Sequence, residues 1–229
     1  DTSVDASDLV ALKVKVDNFN VGSVTTITET AGNIGINAET VTSALTITGA
    51  TKAVTITGGA ISSADTNTIA NKTTGIVTAT VSADTAVNLN ASLINASATD
   101  VLTLTINAGS ATAADLIALD GKTSVVVGAT AVTTITGNGA DIVTVLESSG
   151  INKAANVNIN VDSGTTTVSQ QIAIDAKTIG TITAIITEGD VITLLGDGLS
   201  IDEWAKILKT INYELTCRLK VRLPRVYTR

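Results

Sequence analysis

The sequence TAADLIALDGKTSVVVGATAVTTITGNGADI, residues 112–142, contains a pattern that recurs with changes along most of the chain. A second copy occupies residues 3–34, where VTTIT at 24–28 matches VTTIT at 132–136. The front half recurs twice more, as SSADTNTIANKTTGIVTATV (62–81) and VSQQIAIDAKTIGTITAII (168–186). A pattern of several tens of residues that repeats is typical of stacked units, in which each unit completes the core of its neighbour.

The composition predicts a folded chain. Of the 229 residues, 44% are apolar, only 15% are charged and only 2% are aromatic. Disordered chains usually show the reverse balance of hydrophobicity and charge. No apolar run approaches the roughly 18 residues that a membrane-spanning helix needs, so no membrane span is predicted. The start at Asp1, without Met or a leader pattern, is what we expect of an excised piece of a longer chain.

Alternation of apolar and small polar residues predicts several strands, because successive side chains of a strand point to opposite faces. Aliphatic residues would face the core, and Thr or Asn would face outward on a half-buried surface. The outward positions predicted in this way are Thr46, Thr48, Thr78, Thr80, Thr103, Thr105, Asn158, Asn160, Thr181 and Thr183.

The segments between these strands are too long for hairpins and suit crossovers that contain a short helix, which makes consecutive strands parallel. Residues 110–122 and 139–150 both place aliphatic side chains at helical spacing. We therefore predict an α/β repeat solenoid with one long parallel sheet and short helices, similar in plan to a leucine-rich-repeat stack. The alternative is an all-β parallel solenoid, because Thr and Val are poor helix formers.

A change in composition divides the chain into two predicted parts, the Thr/Ala/Val-rich repeats of residues 1–203 and a basic segment of residues 204–229. Residues 206–229 contain 7 Lys and Arg against one Glu, and they hold both tyrosines and the only proline and cysteine. The alternation around Cys217 predicts a last strand that caps the stack; the alternatives are a site for anionic surfaces or nucleic acid, and sequence foreign to the parent protein. We favour the cap and predict no nucleic-acid partner, because the broad basic surface and stacking aromatics of nucleic-acid sites are missing from the sequence.

The sequence offers no catalytic residues that we can assign. The absence of histidine excludes Ser-His and Cys-His nucleophile pairs and all zinc sites that contain histidine. The single cysteine, Cys217, is predicted to face a core. We therefore predict a protein that is not an enzyme and carries no cofactor.

Calcium is the one metal for which residues can be named. TGNGADIV, residues 136–143, partly matches the calcium nonapeptide GGxGxDxU, with Gly137, Gly139 and Asp141 in place. The competing interpretation is an aspartate near a helix N-terminus, where its charge is favoured. A second, no stronger candidate is the acidic stretch EGDVITLLGDGLSIDE, residues 188–203.

The outward Thr and Asn positions are the candidate binding residues. Side by side they would form a flat array of hydroxyl and amide groups for a glycan, a protein or ice. The competing interpretation is that Thr suits the outer face of a strand and that cross-strand pairs add a little stability.

The phrases AADLIALDGKTSVVVGATAVTTITGNGADI and QQIAIDAKTIGTITAII resemble the repeats of large bacterial, especially cyanobacterial, surface-layer and calcium-adhesin proteins. The resemblance covers most of residues 1–190. It implies an extracellular or cell-surface location and a stalk, sheath or adhesin spacer without catalytic activity. Its partners would be neighbouring repeats of a longer parent chain or like subunits. The alternatives are a binding module that uses the outward Thr and Asn side chains, and a component of a phage or virion fibre.

Overall fold

The computed structural model describes residues 2–162 and 166–184. By its internal contacts the chain divides into one unit from Asp1 to Thr187 and another from Glu188 to Arg229. The predicted cap at 204–229 and the acidic stretch at 188–203 therefore lie outside the described residues.

Short strands alternate with short helices through the described residues. The strands are β1 (Ser3–Asp5), β2 (Thr26–Thr30), β3 (Ala53–Ile61), β4 (Val77–Val81), β5 (Val101–Thr103), β6 (Gly109–Thr112), β7 (Val127–Ala129), β8 (Val132–Gly137), β9 (Ile151–Lys153), β10 (Asn158–Val161) and β11 (Ile182–Ala184). The helices are α1 (Ala6–Lys15), α2 (Glu39–Thr48), α3 (Ser63–Lys72), α4 (Ala86–Ser92), α5 (Ala113–Asp120), α6 (Gly139–Glu147) and α7 (Val168–Asp175).

The prediction of one long sheet is wrong. The described strands form three sheets, one of five strands in the order β1-β2-β3-β4-β5, one of four in the order β11-β10-β8-β6, and a pair β7-β9. The paired strands run parallel, and two isolated bridges, Asp84 with Ile106 and Thr105 with Gly128, lie outside the named strands. The all-β alternative is wrong as well, because helices α1 to α7 lie between the described strands along the chain.

Aliphatic side chains from the strands and helices form one core. In the five-stranded sheet Ile27 pairs with Val54, which pairs with Val77, and all three are buried. In the four-stranded sheet Ile135 pairs with Ile159, which pairs with the half-buried Ile182. The helices add residues such as Leu116, which is fully buried.

Three buried threonines, Thr73, Thr123 and Thr178, tie neighbouring units together; we call them the bridging threonines. The Thr73 hydroxyl donates to the carbonyl of Lys52, 2.6 Å away, and accepts from the N–H of Gly75. The Thr178 hydroxyl donates to the carbonyl of Val157, also at 2.6 Å, and accepts from the N–H of Gly180. In both cases the carbonyl lies 21 residues earlier in the chain. Each hydroxyl thus satisfies backbone groups of two units at once, which buried polar groups require.

Thr123 links two units in the same way. Its hydroxyl donates to the carbonyl of Leu102 at 2.8 Å and accepts from the N–H groups of Leu102 and Val125, both at 3.0 Å. The bridging threonines belong to the Lys-Thr pairs at 72–73, 122–123 and 177–178, which three of the four copies of the sequence pattern carry.

Candidate functional site

A polar cleft of about 310 Å³ lies where β6 and β8 end and α5 and α6 begin. It is lined by Thr112, Ala114, Thr136, Gly137, Asn138, Asp141 and Asp162. The carboxyl ends of parallel strands are where open α/β sheets place their ligands, so this cleft is the first place to look for a site. Two of the three predicted calcium residues, Gly137 and Asp141, line it.

Within the cleft, Asn138 and Asp141 form the N-terminal cap of α6. The Asn138 side-chain oxygen accepts from the Asp141 N–H at 2.9 Å, and the Asn138 amide donates to the Asp141 carboxylate at 2.5 Å. Gly139, the third predicted calcium residue, is buried, and a Cβ there would lie 2.6 Å from the Thr166 hydroxyl. The glycines and the aspartate of this motif therefore have roles in the turn and the cap.

Other helices begin with the same geometry. Ser62 caps α3 through the Asp65 N–H, and Thr112 caps α5 through the Asp115 N–H. In each case the cap hydroxyl also donates to the carboxylate of that aspartate. Among the described residues, no group of three or more Cys, Asp or Glu side chains could hold a metal ion. The geometry at Asp141 is thus common to three helix starts and is not specific to calcium.

We expect Asn138→Ala to lower the free energy of unfolding by about 1 kcal/mol, the usual cost of a lost N-cap. Asn138→Ser keeps a capping oxygen and can donate to the Asp141 carboxylate, as Ser62 does to Asp65, and is the matched control. If Asp141 only caps the helix, the melting temperature of the parent should not change when calcium is added. A calcium-dependent rise that Asp141→Asn abolishes would instead establish a metal site.

The cap of α1 makes acid stability sensitive to one carboxylate. Asp5 accepts hydrogen bonds from the Ser7 hydroxyl at 2.6 Å and from the N–H groups of Ser7 and Asp8. The Ser7 hydroxyl is the main reason that the pKa of Asp5 lies below its ordinary value of 3.8; burial opposes this shift, and the two N–H groups add to it.

Because this pKa is depressed in the folded protein, the ionised Asp5 stabilises the fold fully above pH 3.8, and the stabilisation is lost as the pH falls through the folded value. Asp5→Asn keeps a cap without the charge. The difference between the urea midpoints of the parent and this variant should therefore shrink below pH 3.8. A constant difference down to the acid limit would contradict this account.

The outward Thr and Asn residues that were predicted to bind a ligand, called the ladder residues below, do not form one array. Thr46 and Thr48 lie on helix α2, where their hydroxyls donate to the carbonyls of Thr42 and Ala44; the predicted strand at this position is wrong. The alternation there was misleading because Val41 and Leu45, one helical turn apart, are the residues that enter the core.

The remaining ladder residues separate into two groups. Thr78, Thr80 and Thr103 belong to the five-stranded sheet, whereas Asn158, Asn160 and Thr183 belong to the four-stranded sheet. Thr105 follows β5 and Thr181 precedes β11. Thr80 pairs with Thr103 and Asn160 pairs with Thr183, but Thr78 lies beside Val101. A ligand for these side chains stays a prediction.

Sequence reasoning missed the Thr residues on neighbouring strands that pair with the ladder residues and form one row across each sheet. Thr28 pairs with Thr55, which pairs with Thr78, in one sheet. Thr112 pairs with Thr136, which pairs with Asn160, in the other. The repeated VTTIT at 24–28 and 132–136 ends on Thr28 and Thr136, and is the signal in the sequence that could have marked one residue of each row.

One lysine near the C-terminal end of α6 is partly desolvated. The Lys153 ammonium donates to the carbonyls of Ser148 at 2.9 Å and Ile151 at 3.4 Å. Burial lowers the pKa of Lys153 below its ordinary 10.5, the charge of Lys177 adds to this, and Asp120 opposes it. A cation beside a carbonyl at the C-terminal end of a helix, here that of Ser148, interacts favourably with the helix dipole. Lys153 therefore has a structural role at this position.

Comparison with known proteins shows a similarity to a different family from the one that the sequence pattern resembles. The sequence model of the alanine racemase C-terminal domain matches residues 148–227. The match is to an enzyme family. It covers less than half of the chain and continues well beyond the described residues.

Three curated relatives are alanine racemases. The protein from Nostoc sp. is 40% identical over 60 residues, which is 24% of this chain and 14% of the relative. Those from Halalkalibacterium halodurans and Methanococcus maripaludis are 47% and 48% identical over 45 and 46 residues, each 18% of this chain and 12% of the relative. The chain thus spans a small fraction of the length of the relatives that it matches. No solved structure matches the chain.

These matches correct several predictions. The identification with surface-layer and adhesin proteins is wrong, because the matching proteins are alanine racemases. The predicted roles as a stalk or spacer, a binding module or a fibre component are wrong for the same reason. The expectation of a non-enzyme is wrong for the same reason, and so is the extracellular or cell-surface location, which depended on that identification. The repeat solenoid with one long sheet is also contradicted, by the family match and by the three separate sheets. The division of the chain near residue 203 stays a prediction.

The sequence predicts no membrane-spanning segment. Within residues 2–162 and 166–184, no helix has the length and apolar character needed to cross a bilayer.

Proposed function

We propose that this chain takes part in the racemisation of alanine, as a protein that carries part of an alanine racemase C-terminal domain. The observation that supports the proposal is the family match over residues 148–227, together with relatives that are 40% to 48% identical over their aligned segments. The substrate proposed is alanine, because that is the substrate in the names of the relatives.

Racemisation requires that the proton on Cα be removed and returned on the opposite face. The side chains that do this must accept and donate protons near neutral pH and must lie on both sides of the substrate. Of the residues that line the polar cleft, only Asp162 lies within the matched range, and Thr112, Asn138 and Asp141 are engaged in helix caps. The proposal therefore assigns the contribution of this chain to residues 148–227 and not to that cleft.

Because the chain spans only 14% of the Nostoc relative, the sharpest test places the matched range in that enzyme. The segment of the Nostoc alanine racemase that aligns with the family model is replaced by residues 148–227 of this chain. We expect the chimaera to retain at least about one tenth of the parental kcat/KM for conversion of L-alanine to D-alanine, a loss of no more than about 1.4 kcal/mol of transition-state stabilisation.

The control chimaera carries residues 68–147 of this chain, a segment of equal length outside the matched range. It should be inactive. Circular dichroism and size-exclusion chromatography establish that both chimaeras fold. A folded chimaera with residues 148–227 that is as inactive as the control would overturn the proposal.

A further inference from the structure

Asn138 and Gly139 form the one Asn-Gly pair in the sequence of 229 residues. Asparagine is chemically labile, and glycine makes it more so, because the backbone nitrogen of a residue without a Cβ meets little hindrance when it attacks the side-chain amide before it. Asn138 is half-buried and lines the polar cleft, where water has access to its side chain. The pair therefore has the chemistry of a deamidation site.

The local structure requires a glycine at position 139. A Cβ there would lie 2.6 Å from the Thr166 hydroxyl and 3.0 Å from the side-chain oxygen of Gln170. The cap at position 138 is not constrained to asparagine in the same way, because hydroxyl side chains cap other helices. These are Ser62 on α3, Thr85 on α4, Thr112 on α5 and Thr167 on α7. Helix α6 thus combines an amide cap with a glycine that cannot be replaced without a clash.

The folded geometry holds the reaction back, because reacting groups must first reach a productive arrangement. The intermediate is a five-membered imide, in which the Gly139 nitrogen lies nearly eclipsed with the Asn138 Cβ about the Cα–C bond. Asn138 has φ −71° and ψ 156°, which place that nitrogen well away from this position. Rotation of the peptide would displace Gly139, which is buried beside Thr166 and Gln170. The side-chain amide would also have to leave both of its hydrogen bonds to Asp141.

We infer that Asn138 is a deamidation site that its own cap restrains: it reacts when the start of α6 opens, and the product then keeps the cap from forming again. In the reaction the Gly139 nitrogen loses its proton to solvent and bonds to the side-chain carbonyl carbon of Asn138. The side-chain nitrogen takes up a proton and leaves as ammonia. Water then adds to either carbonyl of the ring and opens it to aspartate or isoaspartate. One water is consumed for each ammonia released, and nothing is oxidised or reduced.

The product does not fit the cap. A carboxylate at position 138 cannot donate to Asp141, which accepts from the Asn138 amide at 2.5 Å. Two carboxylates in contact repel each other, and Asp162 is a further acidic side chain in the lining of the cleft. In isoaspartate the main chain gains one carbon atom before Gly139, whose packing against Thr166 leaves little space for a displacement. Conversion therefore favours an open start of α6.

The first test measures the rate of conversion in the full chain. The protein is incubated in mildly alkaline buffer, and peptide mass spectrometry follows aspartate and isoaspartate at position 138. We expect the folded parent to convert at least about tenfold more slowly than the same chain in urea, because the reaction waits for local opening. Asp141→Ala removes the acceptor of the Asn138 amide and should raise the rate in the folded protein at least about threefold. Asp65→Ala, which removes the matching carboxylate from the α3 cap, is the control and should leave the rate at Asn138 unchanged.

The second test measures the effect of the product on the helix. Asn138→Asp places a carboxylate at this position from the start, and amide hydrogen exchange in peptides covering residues 139–147 should accelerate at least about fivefold. Asn138→Ser keeps a capping oxygen and a donor, as at Ser62, and has no amide to lose. Its exchange should stay within about twofold of the parental rate, and it should release no ammonia from position 138.

Neither measurement depends on racemase activity. Equal rates of conversion in the folded parent and in urea would show that the cap does not restrain Asn138. A parent in which Asn138 stays intact while other asparagines of the folded chain convert would show that it is not the site of modification. Equal effects of Asp141→Ala and Asp65→Ala, or parental exchange in Asn138→Asp, would break the link between the cap and the reaction. Each of these results would overturn the inference.

Discussion

Leu116→Ala is expected to lower the free energy of unfolding by about 2–5 kcal/mol, the usual cost of truncating a buried leucine. Leu116 is completely buried on α5, a helix that packs against α4 on one side and α6 on the other. The cavity would therefore open between three helices, and the short strands beneath offer little freedom to close it.

Urea denaturation followed by circular dichroism measures this loss. Val126→Ala, just before β7, removes a half-exposed aliphatic side chain and should cost less than about 1 kcal/mol. Equal losses for the two variants would mean that α5 does not hold the core as the structure shows.

Thr123→Val should destabilise the protein by at least about 2 kcal/mol although it preserves the size and shape of the side chain. Valine cannot accept from the N–H groups of Leu102 and Val125 or donate to the Leu102 carbonyl. The Thr123 and Leu102 side chains are buried, and each buried polar group left without a partner costs about 1–3 kcal/mol.

Thr123→Ser is the matched control, because it keeps the hydroxyl and removes only a methyl group. Its unfolding free energy should stay within about 1 kcal/mol of the parental value. If the valine variant is as stable as the serine variant, the hydrogen bonds of the bridging threonine do not contribute to stability, and the packing of its methyl group is what matters.

Alternation of apolar and polar side chains identified strands correctly where the sequence fitted the two-residue period of a strand and not the 3.6-residue period of a helix. Residues 77–81 alternate Val, Thr, Ala, Thr and Val, and the structure has β4 there. At residues 45–48 the letters Leu, Thr, Ile and Thr also alternate, yet the adjacent Ala44 and Leu45 are both buried, on the core face of helix α2. A five-residue window contained both periods, and the burial of Val41 one turn earlier decided between them.

The division into separate sheets could not be read from alternation. It depends on local irregularities of the strands, and glycines with positive φ lie within β3, at Gly58 (71°), and at the start of β6, at Gly109 (133°). Gly58 lies where the register between β3 and β4 shifts. Local sequence marks such positions as turns without fixing how far the next strand is displaced.

The candidate site was predicted least well because the repeated pattern is rich in Thr, Ala and Val, which many unrelated proteins share. Trp204, Tyr213 and Cys217 lie in the part of the chain that the pattern does not cover. Residues 204–227 of this departure from the repeat, which we interpreted as a cap, lie inside the range that matches an enzyme family.

The bridging threonines limit where the length of this protein can change. The Thr73 and Thr178 hydroxyls each donate to a carbonyl 21 residues earlier in the chain. An insertion or deletion within such a stretch would place a different residue opposite the carbonyl and leave a buried polar group unpaired. We therefore expect changes of chain length outside these stretches to cost less in folding stability.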